Sequence, residues 1–285
     1  MIVKELQGLV DQNRNKQQNP SFIKNLLKEC LQSYLLNFIF LNKRYNQTFI
    51  FTGGTCLRHC FGMNRLSEDL DFDLKTTIDI EEFKEDLDNY FKKEYLYTAL
   101  QISLRQRGRQ ILLKFPVLKE LKLATKEESD LLYVKIDLSP VCSNHYQLLT
   151  TLKSIGQFNY LVIHYDLPSL MAGKLHAILR RTKFVGVENA SAIKGRDYYD
   201  LLWFMEKKTT PNLDRLNDLL EESLSLQEVM AQVDEKVKEA TSTKKRFFKQ
   251  DLLPFIDNSS ILDGYIGSYQ DNYERNKQYL LECRY

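Results

Sequence analysis

The sequence lacks a long apolar run: no stretch of about 18 hydrophobic residues occurs, and the opening MIVKELQGLVDQNRNKQQ has no leader-like hydrophobic region. A cytoplasmic chain that is neither exported nor membrane-spanning is the expectation. Cysteine is scarce, and Cys30, Cys56, Cys60, Cys142 and Cys283 form an odd, scattered set without a CxxC pair. That pattern argues against a disulfide framework and predicts reduced thiols. Cys56, His59 and Cys60 can be drawn as zinc ligands, but no second ligand pair follows at usable spacing, so buried helix thiols are expected there. An excess of one charge is missing too: 40 Lys and Arg against 38 Asp and Glu leave +2, too little to declare a nucleic-acid partner. There is no internal repeat and no low-complexity tract.

What is present is an ordinary globular composition. The 285 residues, 43% hydrophobic and 27% charged, suffice for one large or two modest domains. Basic residues cluster locally at Arg105, Arg107 and Arg109, at Arg180, Arg181 and Lys183, and at Lys244, Lys245, Arg246 and Lys249. Each cluster reads either as a solvated face or as a contact to a nucleic-acid backbone.

Hydrophobic spacing organises the chain. Residues 2 to about 44 are helical in pattern, broken at NRNKQQNP, with Phe22, Ile23, Leu26, Leu27, Cys30, Leu31, Tyr34, Leu35 and Phe38 at three-to-four spacing. QTFIFTGG reads as a short strand into a tight turn, TCLRHCF as a short helix, DLDFDL as a strand, and IDIEEFKEDLDNYFKKEY as a helix capped by Asp79. TALQISLRQ, RQILLKFPVL, LLYVKIDLS and FNYLVIHY are further β-like stretches, which predict a mixed sheet flanked by helices. After Pro168 the pattern is almost wholly helical. The expected division is an N-terminal α/β portion over residues 1–165, with a helical lead-in over 1–45, and a helical portion over 166–285.

FTGGTCLRHCFGMNRLSEDLDFDL, residues 51–74, carries the chemistry. On an extended strand Asp69, Asp71 and Asp73 share one face while Leu70, Phe72 and Leu74 share the other. Carboxylates aligned this way raise one another's pKa unless a cation neutralises them, and hard oxygen ligands suit Mg²⁺ or Mn²⁺. The competing reading is the solvated face of an edge strand. Gly53 and Gly54 allow backbone to approach a ligand closely, and the helix from about Thr55 directs free amides to the same place, as a phosphate requires. Asp137 in LLYVKIDLS alternates with Val134, Ile136 and Leu138 and can complete a metal site or draw a proton from an incoming hydroxyl; a wet-strand Asp is the alternative. Two charges fall within buried helical registers. Lys174, among Leu170, Met171, Leu175 and Ile178, either snorkels to water or reaches a phosphate. Asp197, bracketed by Ile193, Leu201 and Phe204, is either catalytic or part of a buried bridge with Lys174 or Arg196.

Together GGTCLR (53–58), RLSEDLDF (65–72), YVKIDLS (133–139), GKLHAILRR (173–181) and KGRDYYDLL (194–202) resemble the AbiEii/AbiGii-type nucleotidyltransferase toxins of the DNA polymerase β-like superfamily. The resemblance spans roughly residues 48–206; TKFVGVENASAI between its last two motifs is not distinctive, and residues 207–285 match no pattern. It implies a polymerase-β-like α/β fold with a C-terminal helical portion. Gly53, Gly54 and Thr55 would hold nucleotide phosphates, Arg58, Arg65 and Ser67 would line the triphosphate, and Asp69 and Asp71 would bind divalent metal. Lys174 and Asp197 fall on the positions that relatives need for activity. The implied function is transfer of a nucleotide from an NTP to an RNA acceptor, the tRNA 3′ end, by the toxin of a toxin–antitoxin or phage-defence module whose antitoxin is encoded beside it. A protein hydroxyl or a small molecule such as an aminoglycoside is the alternative acceptor, and a catalytically silent nucleotide-binding module the alternative class. KKRFFK (244–249) combines cations with two phenylalanines able to grip and stack RNA, or to pack a core.

Overall fold

The computed structural model describes residues 1–14, 18–180, 184–185, 190–191 and 193–282, so Arg181, Lys183, most of TKFVGVENASAI and Cys283 lie outside the described residues. It resolves into two compact units, residues 1–141 with 149–164, and residues 142–148 with 165–285.

The first unit opens with two helices, α1 (Ile2–Arg14) and α2 (Pro20–Leu41), on either side of the expected polar break. Asn19 caps α2 by accepting from the Ser21 amide at 2.9 Å, and Pro20 occupies the first turn, where its missing N–H costs nothing. From Leu31 to Phe40 every residue of α2 is buried, the signature of a helix enclosed on all sides. Gln32 Nε2 donates to the Ser67 carbonyl at 3.1 Å and Asn37 to the Tyr90 hydroxyl at 2.9 Å, while Gln32 Oε1 stays buried with no hydrogen-bond partner among the described residues.

Then follow β1 (Phe49–Thr52), α3 (Gly53–Phe61), β2 (Asp69–Leu74), α4 (Ile80–Glu94), β3 (Gln101–Arg105), β4 (Gln110–Pro116), β5 (Leu131–Pro140), β6 (Leu148–Ile155) and β7 (Phe158–Tyr165). Asp79 caps α4, accepting from the Glu81 and Glu82 amides. The seven strands form one mixed sheet in the order β3-β4-β5-β2-β1-β7-β6. β2 runs antiparallel to β1 and parallel to β5, β4 is antiparallel to both β3 and β5, and β1 is parallel to β7. An aromatic cluster anchors the helices to the apolar face: Phe49 stacks on Phe83 at 5.3 Å and meets Phe72 edge-on at 5.3 Å, while Phe38 meets Phe83 at 5.6 Å.

β6 is the one strand of this sheet that the hydrophobic pattern does not announce. It lies at the sheet edge, and two of its three leucines are turned to water, Leu149 at 43% and Leu152 at 66% exposure, so it carries little apolar signal.

The second unit contains α5 (Leu167–Arg180), the two-residue strands β8 (Phe184–Val185) and β9 (Ala190–Ser191), and helices α6 (Gly195–Glu206), α7 (Leu213–Leu220), α8 (Leu226–Thr241), α9 (Lys245–Leu252), α10 (Leu262–Gly267) and α11 (Tyr269–Glu282). Residues 142–148 belong to it through Ser143, whose hydroxyl donates to Asp218 at 2.6 Å, and Tyr146, whose ring meets Tyr165 at 5.3 Å. Tyr269 and Tyr273 stack at 6.5 Å in its interior, and the Tyr269 hydroxyl donates to the Tyr198 carbonyl at 2.7 Å.

Candidate active site

The site in the first unit is built by strand register. In the parallel pair β2·β5, Asp69 stands opposite Lys135, Asp71 opposite Asp137 and Asp73 opposite Ser139, while Leu70, Phe72, Ile136 and Leu138 line the buried face. One face of two neighbouring strands is therefore acidic and partly open; the other is core. Like charges directly opposite one another destabilise a sheet unless something neutralises them.

Lys135 supplies part of that neutralisation, its ammonium lying 3.0 Å from Asp69 Oδ2 and 2.9 Å from Asp137 Oδ2. Burial works against its protonation, but the two carboxylates outweigh it and push its pKa up. Asp69 stays raised above the ordinary carboxylate range, first by burial and then by the charges of Glu68 and Asp137, even with Lys135 beside it. Gln110 Nε2 donates to the other oxygen of Asp137 at 2.9 Å. Three carboxylates, hard oxygen donors of the type that divalent cations prefer, thus share one face, and a lysine ammonium stands between two of them.

The diglycine turn closes against these acids. Gly53 has φ +74°, and a Cβ there would overlap Asp71 Oδ2 and stand 2.8 Å from Asp71 Cγ, so only glycine admits the carboxylate to the turn. A Cβ on Gly54 would meet Arg65 Nη2 at 2.5 Å and Ser67 Oγ at 3.2 Å. Arg65 and Ser67, both buried, thus close on the start of α3. No side chain caps that helix, whose first amides have no acceptor within the helix, an arrangement suited to an anion.

Two residues are disposed otherwise than a simple phosphate cradle would have them. The Thr55 hydroxyl donates to the Asp69 carbonyl, tying α3 to β2, so that any phosphate contact from Thr55 falls to its backbone amide. Arg58 donates through Nε to Glu29 at 2.6 Å and through Nη1 to the Met63 carbonyl at 3.0 Å, in the wall of a cavity of about 390 Å³ that also involves Glu5, His59 and Lys153.

The register also draws in Arg105, from a basic cluster that the sequence leaves open as either a solvated face or a nucleic-acid contact. Thr52 pairs with Asp71, Asp71 with Asp137, Asp137 with Gln110 and Gln110 with Arg105, a row on one face of five consecutive strands. Arg105, Arg107 and Arg109 are all exposed on the β3–β4 connection. An arginine thus stands two strands from Asp137, roughly 10 Å away at ordinary strand spacing.

In the second unit the two misplaced charges meet. Lys174 Nζ lies 2.9 Å from Asp197 Oδ1 and 2.8 Å from Asp200 Oδ2, and Asp200 is fully buried. Of the open readings for Lys174 and Asp197, the buried bridge is thus realised, with Asp200 as a third member that periodicity alone does not assign. Arg196 instead bonds Asp251 through its amide and Nε, at 3.0 and 3.3 Å, and covers the Phe255 ring at 4.0 Å. In KKRFFK, Phe248 is buried against Tyr198 and Tyr269 as core, whereas Phe247 is exposed.

The structure is similar to that of a candidate nucleotidyltransferase from H. pylori, at TM-score 0.52 and 15% identity, over 91% of this chain and 97% of that one. JHP933 from Helicobacter pylori is similar at TM-score 0.52 and 16% identity, over 90% of this chain and 94% of that one. At such identities the likeness is one of fold. No curated protein matches the sequence. The model of the family described as nucleotidyl transferase AbiEii toxin, type IV TA system, matches residues 35–262. A match over that much of the chain makes this protein, a nucleotidyltransferase, a member of the AbiEii toxin family of type IV toxin–antitoxin systems.

Proposed function

We propose that this nucleotidyltransferase transfers a nucleoside monophosphate from an NTP to an RNA 3′ end, that of tRNA, and thereby blocks translation as the toxin partner of an antitoxin. The observation that carries the reading is the contact of the Asp71 carboxylate with the diglycine turn, opposite Asp137 on the neighbouring strand. It joins acids suited to metal and backbone amides suited to phosphate in one unit.

Asp69, Asp71 and Asp137 would hold a divalent cation, Mg²⁺ or Mn²⁺, which when bound neutralises phosphate oxygens and lowers the pKa of the attacking hydroxyl. The amides of Gly53, Gly54 and Thr55, with Arg65 and Ser67, hold the triphosphate. The acceptor oxygen attacks the α-phosphorus in line, the bond to the bridging oxygen breaks, and pyrophosphate leaves. Asp137 takes the hydroxyl proton. Arg105, Arg107 and Arg109, exposed at the end of the same row, favour an acceptor with a phosphate backbone. A role for Arg58 at the triphosphate rests on the family resemblance alone, since its guanidinium is engaged by Glu29. Lys174 and Asp197 are proposed as required for activity on the same resemblance.

Incubation with labelled NTPs, Mg²⁺ and total tRNA tests the proposal. Labelled RNA and pyrophosphate should appear, and Asp71→Ala should abolish both while leaving the thermal transition in place. Absence of transfer by the wild-type protein with any of the four NTPs would defeat the RNA-acceptor reading.

A further inference from the structure

A second cluster of ligand-bearing side chains lies in the first unit, and nothing in the nucleotidyl transfer uses it. Cys56 and Cys60 stand one turn apart on α3. β7 is parallel to β1, with His164 in register with Phe51, and this brings the imidazole to the two thiols. The sulfurs and a ring nitrogen of His164 all lie within 4.8 Å of one another. Around tetrahedral zinc, with Zn–S near 2.3 Å and Zn–N near 2.1 Å, ligand atoms are roughly 3.5–4 Å apart. Small side-chain rotations therefore suffice to close the site.

Two further features suit a bound ion. The Thr151 hydroxyl lies 2.8 Å from His164 Nε2 and the Phe61 ring meets the imidazole edge-on at 5.1 Å, so the histidine is oriented from outside, as metal-ligating imidazoles are. Tyr160, on the same inward face of β7, keeps its hydroxyl buried with no hydrogen-bond partner among the described residues. The histidine adjacent in sequence, His59, is not the third ligand; it lines the cavity with Glu29 and Lys153.

We propose that Cys56, Cys60 and His164 bind Zn²⁺, with a fourth position left to water, and that the ion ties α3 to β7. Binding displaces the thiol protons to solvent. Because Cys56 directly follows Gly53, Gly54 and Thr55 in α3, the zinc stiffens the helix that presents the phosphate-binding turn. Thiolate and imidazole donors select zinc over the hard cation expected at the carboxylates, so the two sites load independently.

The test uses the full-length protein, stripped with a chelator under reducing conditions and titrated with Co²⁺, then Zn²⁺. One equivalent of Co²⁺ should give thiolate-to-cobalt charge-transfer absorption and tetrahedral d–d bands, both bleached by Zn²⁺, and Zn²⁺ should raise the thermal midpoint. Cys60→Ser, at a half-buried position, should weaken Zn²⁺ binding about tenfold or more and cut the charge-transfer band. Asp71→Ala and Cys142→Ser should leave both unchanged. Cys56 is fully buried, so Cys56→Ser is read only if its far-ultraviolet circular dichroism matches the wild type. Wild-type protein that takes up no stoichiometric zinc, or that binds it no better than Cys60→Ser and His164→Ala do, overturns the proposal.

Discussion

At the scale of single residues, the two αL glycines flanking α3 make opposite predictions. Gly53 and Gly62 both have φ +74°, but a Cβ at Gly53 would overlap the Asp71 carboxylate whereas at Gly62 nothing lies within 4 Å. Alanine at either position carries the left-handed backbone cost, about 1 kcal/mol. Only Gly53→Ala also displaces a carboxylate of the site, and a misplacement of that order costs on the order of 100-fold in rate. Transfer assays should therefore show Gly53→Ala at least that far below wild type and Gly62→Ala near wild-type activity. Thermal melts should place both variants within a few degrees of each other. Equal activity of the two would mean that the diglycine turn does not position Asp71.

At the scale of elements, the second unit depends on close helix contacts. A Cβ on Gly195 would overlap the Phe248 carbonyl oxygen and stand 2.8 Å from the Phe248 ring, so α6 and α9 touch through a position where only hydrogen fits. Gly195→Ala should cost about 1–3 kcal/mol by overpacking, read as a lower denaturant midpoint. The segment 142–148 is held in that unit by a pH-dependent pair. His145 Nδ1 lies 2.9 Å from Asp218 Oδ2, and Asp214 also faces it. The Asp218 hydrogen bond and charge raise the His145 pKa above 6.5, while Ser143 first and His145 second lower that of Asp218 below 3.8. The histidine's contribution is complete below pH 6.5 and disappears as pH rises through its folded value. The aspartate's is present above pH 3.8 and disappears as pH falls through its own. An NMR titration should find His145 titrating above its unperturbed value, and Asp218→Asn should return it there.

The same scale shows which features are legible in the sequence. DLDFDL alternates on a half-wet strand, so its acidic and apolar faces follow from periodicity, and the capped α4 and the enclosed α2 announce themselves equally well. Lys174 and Asp197 are conspicuous because a charge interrupts an apolar register. Pairings between distant segments are another matter. The opposition of Asp71 to Asp137, the row reaching Arg105, the approach of His164 to Cys56 and Cys60, and the bond from Arg58 to Glu29 all depend on strand order and helix placement. Local periodicity carries no such information. Arg58 and Arg65 look alike in sequence, yet one is engaged by α2 and the other closes on Gly54.

At the scale of the whole molecule, the near balance of 40 basic and 38 acidic residues means that any grip on RNA must come from local placement. In KKRFFK, Lys244 pairs with Glu239 at 2.7 Å and Lys249 with Asp263 at 2.7 Å, whereas Lys245, Arg246 and Phe247 are exposed and no ion pair holds Lys245 or Arg246 among the described residues. Arg105, Arg107 and Arg109 are likewise exposed, on the same sheet as the carboxylates. If these groups neutralise phosphates, a fourfold rise in salt weakens RNA binding by roughly threefold for every phosphate neutralised. Transfer to tRNA measured at subsaturating RNA should therefore fall steeply between low and moderate salt. Arg105→Glu should lower transfer at low salt and reduce the salt slope by about 1, as should Arg246→Glu, while NTP affinity stays unchanged. A salt-insensitive reaction that tolerates both reversals would point to a small, uncharged acceptor, because counterions compete with lysine and arginine only where the partner carries a line of phosphates.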